Sequence, residues 1–281
     1  MAKKALLIGV NRYRVPGADL RGCVNDVKNL KSALGDHCGF AQSDIRVLTD
    51  LDATTKAIQK GIAALVASGK KGDVLLLHFS GHGSNVPDAD GDEADRRDEI
   101  LCPTDLDWKA PLLDDWLRKA FDRVRAGVNL TVIFDCCHSG TATRAVFPPD
   151  APSIPRYLPS PWDLVASESG RSLRGRAVSG LYRSRRAKRK KSDVVIADIG
   201  EVLVSGCRDT QTSADAYIDG SYNGALTYYL AAALRAEKGK VTYRELHEQT
   251  LKGLARGGYS QVPQLEGRKA NLDRAVLAPV A

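Results

Sequence analysis

The sequence contains no apolar run long enough to cross a membrane. A spanning helix needs roughly 18 or more consecutive apolar residues, and no stretch of the 281 residues approaches that length. Near the N-terminus, the run Leu6-Leu7-Ile8 comes shortly before Asn11 and Arg12 and is too short for a secretory signal. We therefore expect neither a membrane protein nor a secreted one, and the expected compartment is the cytoplasm.

Cysteine is also scarce, and nucleotide-binding loops are absent. Six cysteines are scattered through a chain large enough to fold without cross-links, which argues against a disulfide framework. The sequence has no Gly-x-Gly-x-x-Gly or Walker-type loop, so nothing in it favours a nucleotide enzyme.

The excess of positive over negative charge comes from one part of the chain. The formal net charge is +7, but eleven of the 41 basic residues lie between Arg156 and Lys191, a segment with only two acidic residues. The remainder of the chain is nearly neutral. Nucleic-acid binding by the folded body is therefore not expected, although the basic segment leaves open a scaffold that binds nucleic acid or a protein partner.

Apolar, β-branched runs alternate with segments of helical period. This alternation predicts an α/β fold with a mainly parallel central sheet and helices on both faces. Between residues 148 and 192 the pattern fails, because a proline-rich stretch leads into the basic tract. We expect a larger part over 1–147, a flexible basic linker over 148–192 and a smaller part over 193–281, which together form one domain.

Two predicted strands end in polar residues suited to nucleophilic catalysis. One strand ends in Ser80-Gly81-His82-Gly83, and the other leads into Asp135-Cys136-Cys137. Strand ends of an open α/β sheet share one crevice, and a nearby imidazole activates a thiol and protonates the leaving amine. We predict His82 and Cys137 as catalytic residues, with the backbone amides of Gly83 and Cys137 as oxyanion donors.

These motifs resemble those of the metacaspases, within the caspase-like clan. The resemblance rests on the two motifs above and on Leu20-Arg21-Gly22-Cys23-Val24-Asn25-Asp26 and Ser205-Gly206-Cys207-Arg208-Asp209-Thr210-Gln211-Thr212-Ser213-Ala214-Asp215. It implies a caspase-like three-layer sandwich, a monomer of the type I-like group, and a cysteine endopeptidase acting on protein or peptide substrates. No prodomain is expected, because none precedes Lys3. Gingipain-like and legumain-like peptidases are rivals from the same clan, and a scaffold with an inert dyad is the rival from another class.

Acidic residues near the predicted nucleophile indicate the substrate. A carboxylate at the end of a buried strand, such as Asp135, is costly unless a cation neutralises it, and a substrate Arg or Lys is such a cation. The resemblance implies a primary pocket lined by Asp26, Ser80 and Asp135, and therefore cleavage after Arg or Lys. The plainer interpretations are a helix-surface carboxylate for Asp26 and a turn cap for Asp135.

The basic tract of the linker is itself a candidate substrate. A flexible tether rich in the preferred residues meets its own active site at high effective concentration. We expect self-processing within this tract, at one of the following residues: Arg183, Arg185, Arg186, Lys188, Arg189, Lys190 or Lys191.

The resemblance also implies Ca²⁺ as a cofactor. The matching ligand positions are Asp98, Asp114 and Asp115, whose carboxylates are hard oxygen donors. A further ligand position of the family falls near Arg144, which is itself a cation. The alternative is that Asp114 and Asp115 merely favour the N-terminus of the following helix.

Overall fold

The structure is a computed structural model, which describes residues 1–88, 97–137, 153–163, 201–208 and 211–280. Its strands form mainly where apolar and β-branched residues cluster, since such residues pack well on a pleated surface. In chain order they are β1 (Lys3–Gly9), β2 (Ile45–Thr49), β3 (Val74–Ser80), β4 (Gly83–Pro87), β5 (Arg97–Leu101), β6 (Leu112–Leu113), β7 (Asn129–Asp135), β8 (Ser153–Pro155), β9 (Val202–Ser205), β10 (Ala214–Ile218), β11 (Ser221–Gly224) and β12 (Gln264–Gly267).

Two of the helices begin at an N-cap residue whose side chain binds the first turn. Thr54 caps the second helix by accepting from the backbone N–H of Ala57, and Thr242 and Glu245 form a capping box at the fifth. The α-helices of the described residues are α1 (Cys23–Cys38), α2 (Thr55–Ser68), α3 (Asp114–Phe121), α4 (Ala225–Ala236), α5 (Tyr243–Arg256) and α6 (Lys269–Leu272).

Six strands form the central sheet, in the order β12-β9-β7-β3-β1-β2. Neighbouring strands are parallel except β12, which runs antiparallel to β9 at one edge. Two smaller three-stranded sheets, β11-β10-β8 and β4-β5-β6, lie beyond the strand ends. The predicted mainly parallel sheet is thus confirmed.

Helices cover both faces of this sheet. Along β1, Leu7 packs with α1, α4 and α5 on one face, whereas Leu6 and Ile8 pack with α2 and α3 on the other. Successive side chains of a strand point to opposite faces, so a strand buried on both sides is apolar throughout. The predicted three-layer α/β arrangement is confirmed.

α1 begins at Cys23, directly after two residues whose backbone N–H groups are bound elsewhere. The backbone N–H groups of Arg21 and Gly22 donate to the carboxylate of Asp215 instead of starting the helix. A distant side chain therefore fixes this boundary, and local sequence does not reveal it.

In the described part of the chain, no helix combines the length and apolarity needed to cross a membrane.

Candidate active site

The carboxyl ends of β3 and β7 form the centre of the site. The two strands are adjacent and parallel, and Ser80 at the end of one is paired with Asp135 at the end of the other. His82 and Cys137 each follow two residues beyond that pair. The structure therefore brings the two predicted catalytic residues to the same edge of the sheet, where loops carry functional groups in open α/β folds.

A third segment of the chain lies in this crevice. Residues 153–163 belong to the segment that was predicted as a linker, and the other residues of that linker lie outside the described ranges. Strand β8 pairs antiparallel with β10, with Ile154 opposite Asp215. Arg156, the residue directly after β8, is completely buried. This segment therefore lies along a strand edge as an extended peptide does in β-augmentation.

Acidic and hydroxyl groups surround the guanidinium of Arg156. Its Nη2 lies 2.7 Å from an Asp26 oxygen and 3.0 Å from an Asp215 oxygen. Its Nη1 lies 3.2 Å from an Asp135 oxygen and donates to Ser80 Oγ at 2.7 Å. The three residues predicted to line the pocket thus converge on one arginine side chain, and all are fully buried.

The carbonyl oxygen of Arg156 lies at the predicted oxyanion donors. It accepts hydrogen bonds from the backbone N–H groups of Gly83 and Cys137, each at 3.1 Å. On either side, the Arg156 N–H donates to the Ser213 carbonyl at 2.9 Å, and the Leu158 N–H donates to the Gly83 carbonyl at 3.0 Å. Both the side chain and the carbonyl of Arg156 are thus bound as those of a substrate residue that precedes a scissile bond would be.

His82 is held by two groups that the sequence did not reveal. Its Nε2 lies 2.9 Å from the carbonyl oxygen of Ala18, and its backbone N–H donates to the Tyr13 hydroxyl at 2.8 Å. The Tyr13 and His82 rings lie 5.0 Å apart, between centroids. A bond from Nε2–H to the Ala18 carbonyl leaves Nδ1 as the ring nitrogen available for proton transfer. Burial lowers the pKa of His82 to about 4, so the ring is neutral in this state.

Cys137 lies beneath the same segment and is 1% exposed. Its sulfur accepts from the Ser213 N–H and lies 3.5 Å from the sulfur of Cys207. Burial, followed by the neighbouring Cys207, raises the pKa of Cys137 well above the ordinary thiol value. With the crevice filled, the pair is therefore a thiol and a neutral imidazole.

The pocket carboxylates are supported by further hydrogen bonds. Asp135 accepts from the backbone N–H of Thr227 at 2.9 Å, from its hydroxyl at 2.7 Å, and from the Ser213 hydroxyl. Asp26 accepts from the Gly224 N–H at 2.8 Å. Burial raises the pKa of Asp26 to about 7, and the charge of Arg156 opposes that rise. These contacts hold both carboxylates toward the guanidinium.

Gly224 closes the floor of the pocket at the start of α4. A Cβ atom there would lie 2.3 Å from Arg156 Nη1 and 2.3 Å from an Asp135 oxygen. Only glycine leaves space for the guanidinium at this position. Like Asp215, it was not predicted as part of the pocket, because its place there depends on contacts between distant segments.

The predicted calcium ligands lie on β5 and α3. Asp98 is in β5, and Asp114 and Asp115 start α3, which follows the β6 strand paired with β5. Asp115 forms ion pairs with Arg118 and with Lys119, the latter at 3.1 Å. Among the residues that the structure describes, no three His, Cys, Asp or Glu side chains are grouped to hold a metal ion. The basic tract predicted for self-processing lies outside the described residues, as does Arg144.

Comparisons with known proteins identify relatives of the chain. The metacaspase, peptidase C14 domain family model matches residues 3–145. Metacaspase-1B of Aspergillus oryzae is 36% identical over 288 residues, which cover 94% of this chain and 67% of the relative. Metacaspase-1A of Aspergillus fumigatus is also 36% identical, over 292 residues that cover 94% of this chain and 68% of the relative.

Solved structures show the same fold. A crystal structure of a Geobacter sulfurreducens protein matches with a TM-score of 0.69 and 25% identity over the full length of both chains. Caspase-1 from Spodoptera frugiperda matches with a TM-score of 0.56 and 16% identity, covering 94% of this chain and 86% of that one. The predicted caspase-like fold is thus confirmed.

Proposed function

Since this chain belongs to the metacaspase family, and is therefore a cysteine-type endopeptidase, we propose that it cuts peptide bonds on the carboxyl side of arginine or lysine. The observation that carries this proposal is the burial of the Arg156 guanidinium among the carboxylates of Asp26, Asp135 and Asp215. Buried carboxylates are costly unless a cation is bound between them. A pocket of this charge favours a basic side chain and disfavours aspartate.

The geometry supports a nucleophilic mechanism. The sulfur of Cys137 attacks the carbonyl carbon of the scissile bond, and the developing oxyanion accepts from the N–H groups of Gly83 and Cys137. His82 accepts the thiol proton at Nδ1 and donates it to the departing amine. The carbonyl of Ala18 holds the ring in the required tautomer through Nε2. Water then hydrolyses the thioester and releases the free enzyme.

The chain carries its own substrate-like segment, which accounts for a latent state. While Arg156 fills the pocket, an external peptide has no access to it. Burial also keeps His82 neutral and Cys137 protonated, so the nucleophile is not activated. We propose that activation begins when water reaches the crevice and that the first self-cleavage follows Arg156. A later cut in the basic tract from Arg183 to Lys191 stays a prediction.

Matched peptides test the proposed specificity. We use fluorogenic Ser-Ile-Pro-X substrates, which copy residues 153–155, with arginine, lysine, citrulline or aspartate at X. Citrulline has nearly the shape of arginine without its charge. Because breaking a buried ion pair costs about 3 to 5 kcal/mol, kcat/KM for arginine should exceed that for citrulline by on the order of 100-fold or more. The aspartate peptide should not be cut. Equal rates for arginine and citrulline, or cleavage only after aspartate, would contradict the proposal.

We also propose that Ca²⁺ stimulates the enzyme through Asp98, Asp114 and Asp115. Their carboxylate oxygens suit this ion, and pairing of β5 with β6 brings Asp98 and Asp114 onto adjacent elements. Asp115 would exchange its ion pairs with Arg118 and Lys119 for the cation. When bound, the ion supplies positive charge that orders this corner of the fold beside the active site.

Removing calcium should therefore lower peptide cleavage several-fold. Asp114→Asn should weaken the calcium response, whereas Asp107→Asn, at an exposed carboxylate in the preceding loop, should not. Intrinsic tryptophan fluorescence, to which Trp116 of α3 contributes together with Trp108 and Trp162, gives a readout independent of activity during calcium titration. Equal activity in calcium and in chelator, with no fluorescence change, would overturn this proposal.

A further inference from the structure

Two cysteines meet beside the active site. Cys137 follows β7 and Cys207 follows β9, and these strands are adjacent and parallel, with Phe134 paired to Ser205. Extending this register places Cys137 one residue beyond the position opposite Cys207. With strands about 4.8 Å apart and a rise of roughly 3.3 Å per residue, their Cα atoms are expected about 6 Å apart, within the range of roughly 4.4 to 6.8 Å that disulfides span. The two sulfurs are already 3.5 Å apart.

A small movement separates this contact from a covalent bond. A disulfide has sulfurs about 2.04 Å apart, so the two side chains need to approach by roughly 1.5 Å. Cys207 lies in the loop after β9, where its thiol donates to the Gln211 carbonyl at 3.2 Å. Unlike Cys137, which is buried, Cys207 is partly exposed. It is therefore the cysteine of this pair that a small oxidant in solution reaches first.

We propose that Cys137 and Cys207 form a reversible disulfide under oxidation by hydroperoxides, and that this bond switches the peptidase off. In the first step, the Cys207 sulfur attacks the peroxide, the O–O bond breaks, and a sulfenic acid forms as water or an alcohol leaves. In the second, the Cys137 sulfur attacks the sulfenic sulfur. The S–O bond breaks, and the hydroxide leaves as water with the proton from Cys137. Both thiols are oxidised and one peroxide is reduced.

The other four cysteines are all buried. Cys136 is buried in the apolar cluster on the α2 and α3 face of the sheet, so its side chain is directed away from the crevice. Cys23, Cys38 and Cys102 are also buried. Among the six cysteines, Cys207 is the one with partial exposure, and it lies beside Cys137.

The bond has two consequences for the enzyme. A sulfur engaged in a disulfide cannot attack a peptide carbonyl, so activity is lost while the bond persists. The disulfide also protects Cys137 from oxidation to sulfinic acid, which is irreversible outside the 2-Cys peroxiredoxins that sulfiredoxin repairs. Thiol exchange with a dithiol then regenerates both thiols and the activity.

The experiment treats the full-length enzyme with hydrogen peroxide, blocks free thiols and digests it with trypsin without reduction. Trypsin releases Cys137 together with Cys136 in residues 126–144, and Cys207 in residues 192–208. The expected result is a linked pair of these peptides, with at least a tenfold loss of peptide cleavage that dithiothreitol restores. In Cys136→Ala, the same link and the same recovery should persist, which assigns the bond to Cys137.

The variant Cys207→Ser separates reversible from irreversible loss. Each activity is compared with that of the same variant before peroxide treatment. Cys207→Ser should form no linked peptide, should lose activity without recovery in dithiothreitol, and should accumulate sulfinic acid at Cys137. Recovery as complete as in the unmodified enzyme, or a bond between Cys136 and Cys137, would overturn the proposal.

The activity readout rests on the proposed function, whereas the linked peptide does not. If the enzyme fails to cut basic peptides but the bond forms, the specificity proposal has failed and the disulfide stands. If it cuts basic peptides and loses that activity reversibly with no link between the two tryptic peptides, the disulfide proposal has failed.

Discussion

Replacing Cys137 with alanine is expected to lower kcat/KM toward the arginine peptide by on the order of 10⁴-fold or more. Alanine has no sulfur to form the thioester, and the oxyanion donors of Gly83 and Cys137 are backbone groups that the substitution retains. The residual rate then reflects binding and oxyanion stabilisation alone. The same variant should remain a single full-length chain on prolonged incubation, because self-cleavage uses the same sulfur.

Cys136→Ala is the matched control for this result. Cys136 is the adjacent thiol, and it packs in the apolar cluster beneath the sheet. Truncating it removes one buried sulfur, so a modest loss of stability is expected, with kcat/KM within a few-fold of the unmodified enzyme. If Cys136→Ala abolished activity while Cys137→Ala retained it, the assignment of the nucleophile would be reversed.

The strand ends were predictable from the sequence because their signals are local. An apolar, β-branched run followed by Ser80-Gly81-His82-Gly83 predicts a buried strand and a polar turn, and the same holds for the run before Asp135. Pairing of β3 with β7 then follows from the α/β pattern. The register of Ser80 with Asp135 brings together groups that are 55 positions apart.

The other parts of the site depend on contacts between distant segments. Asp215 reaches the pocket through the pairing of β8 with β10, and the Ala18 carbonyl reaches His82 across a loop without regular secondary structure. A backbone carbonyl has no residue signature, so no sequence pattern could identify Ala18. Asp215 ends a motif that supported the family resemblance, and that was the one available signal for its role.

Arg156 is the clearest case of a missed residue. By composition it belongs to the proline-rich and basic segment, where the pattern predicts a flexible linker. Its burial depends on three carboxylates from separate elements, which compensate a charge that would otherwise exclude the side chain from the interior. The same contacts fill the pocket with Arg156, and in the proposed mechanism they keep the enzyme latent.

Arg156→Gln is expected to abolish the first self-cleavage. In the unmodified enzyme, N-terminal sequencing of the new fragment should begin at Tyr157, since the Arg156 carbonyl lies at the oxyanion donors. Glutamine cannot neutralise Asp26, Asp135 and Asp215, so residue 156 should leave the pocket. Losing one partner of a buried ion pair also costs about 3 to 5 kcal/mol, which denaturant unfolding would measure.

Arg156→Lys separates loss of the cleavage site from loss of the fold. Lysine retains the charge, so the fragment beginning at Tyr157 should still form, at an altered rate because an ammonium lacks the bidentate geometry of a guanidinium. Arg156→Gln should cut the Ser-Ile-Pro-Arg peptide without a lag, since its pocket is open from the start. A Tyr157 fragment from Arg156→Gln, or a fragment from the unmodified enzyme that begins only within residues 184–192, would assign the first cut to the basic tract, and the buried arginine would then be a structural ion pair.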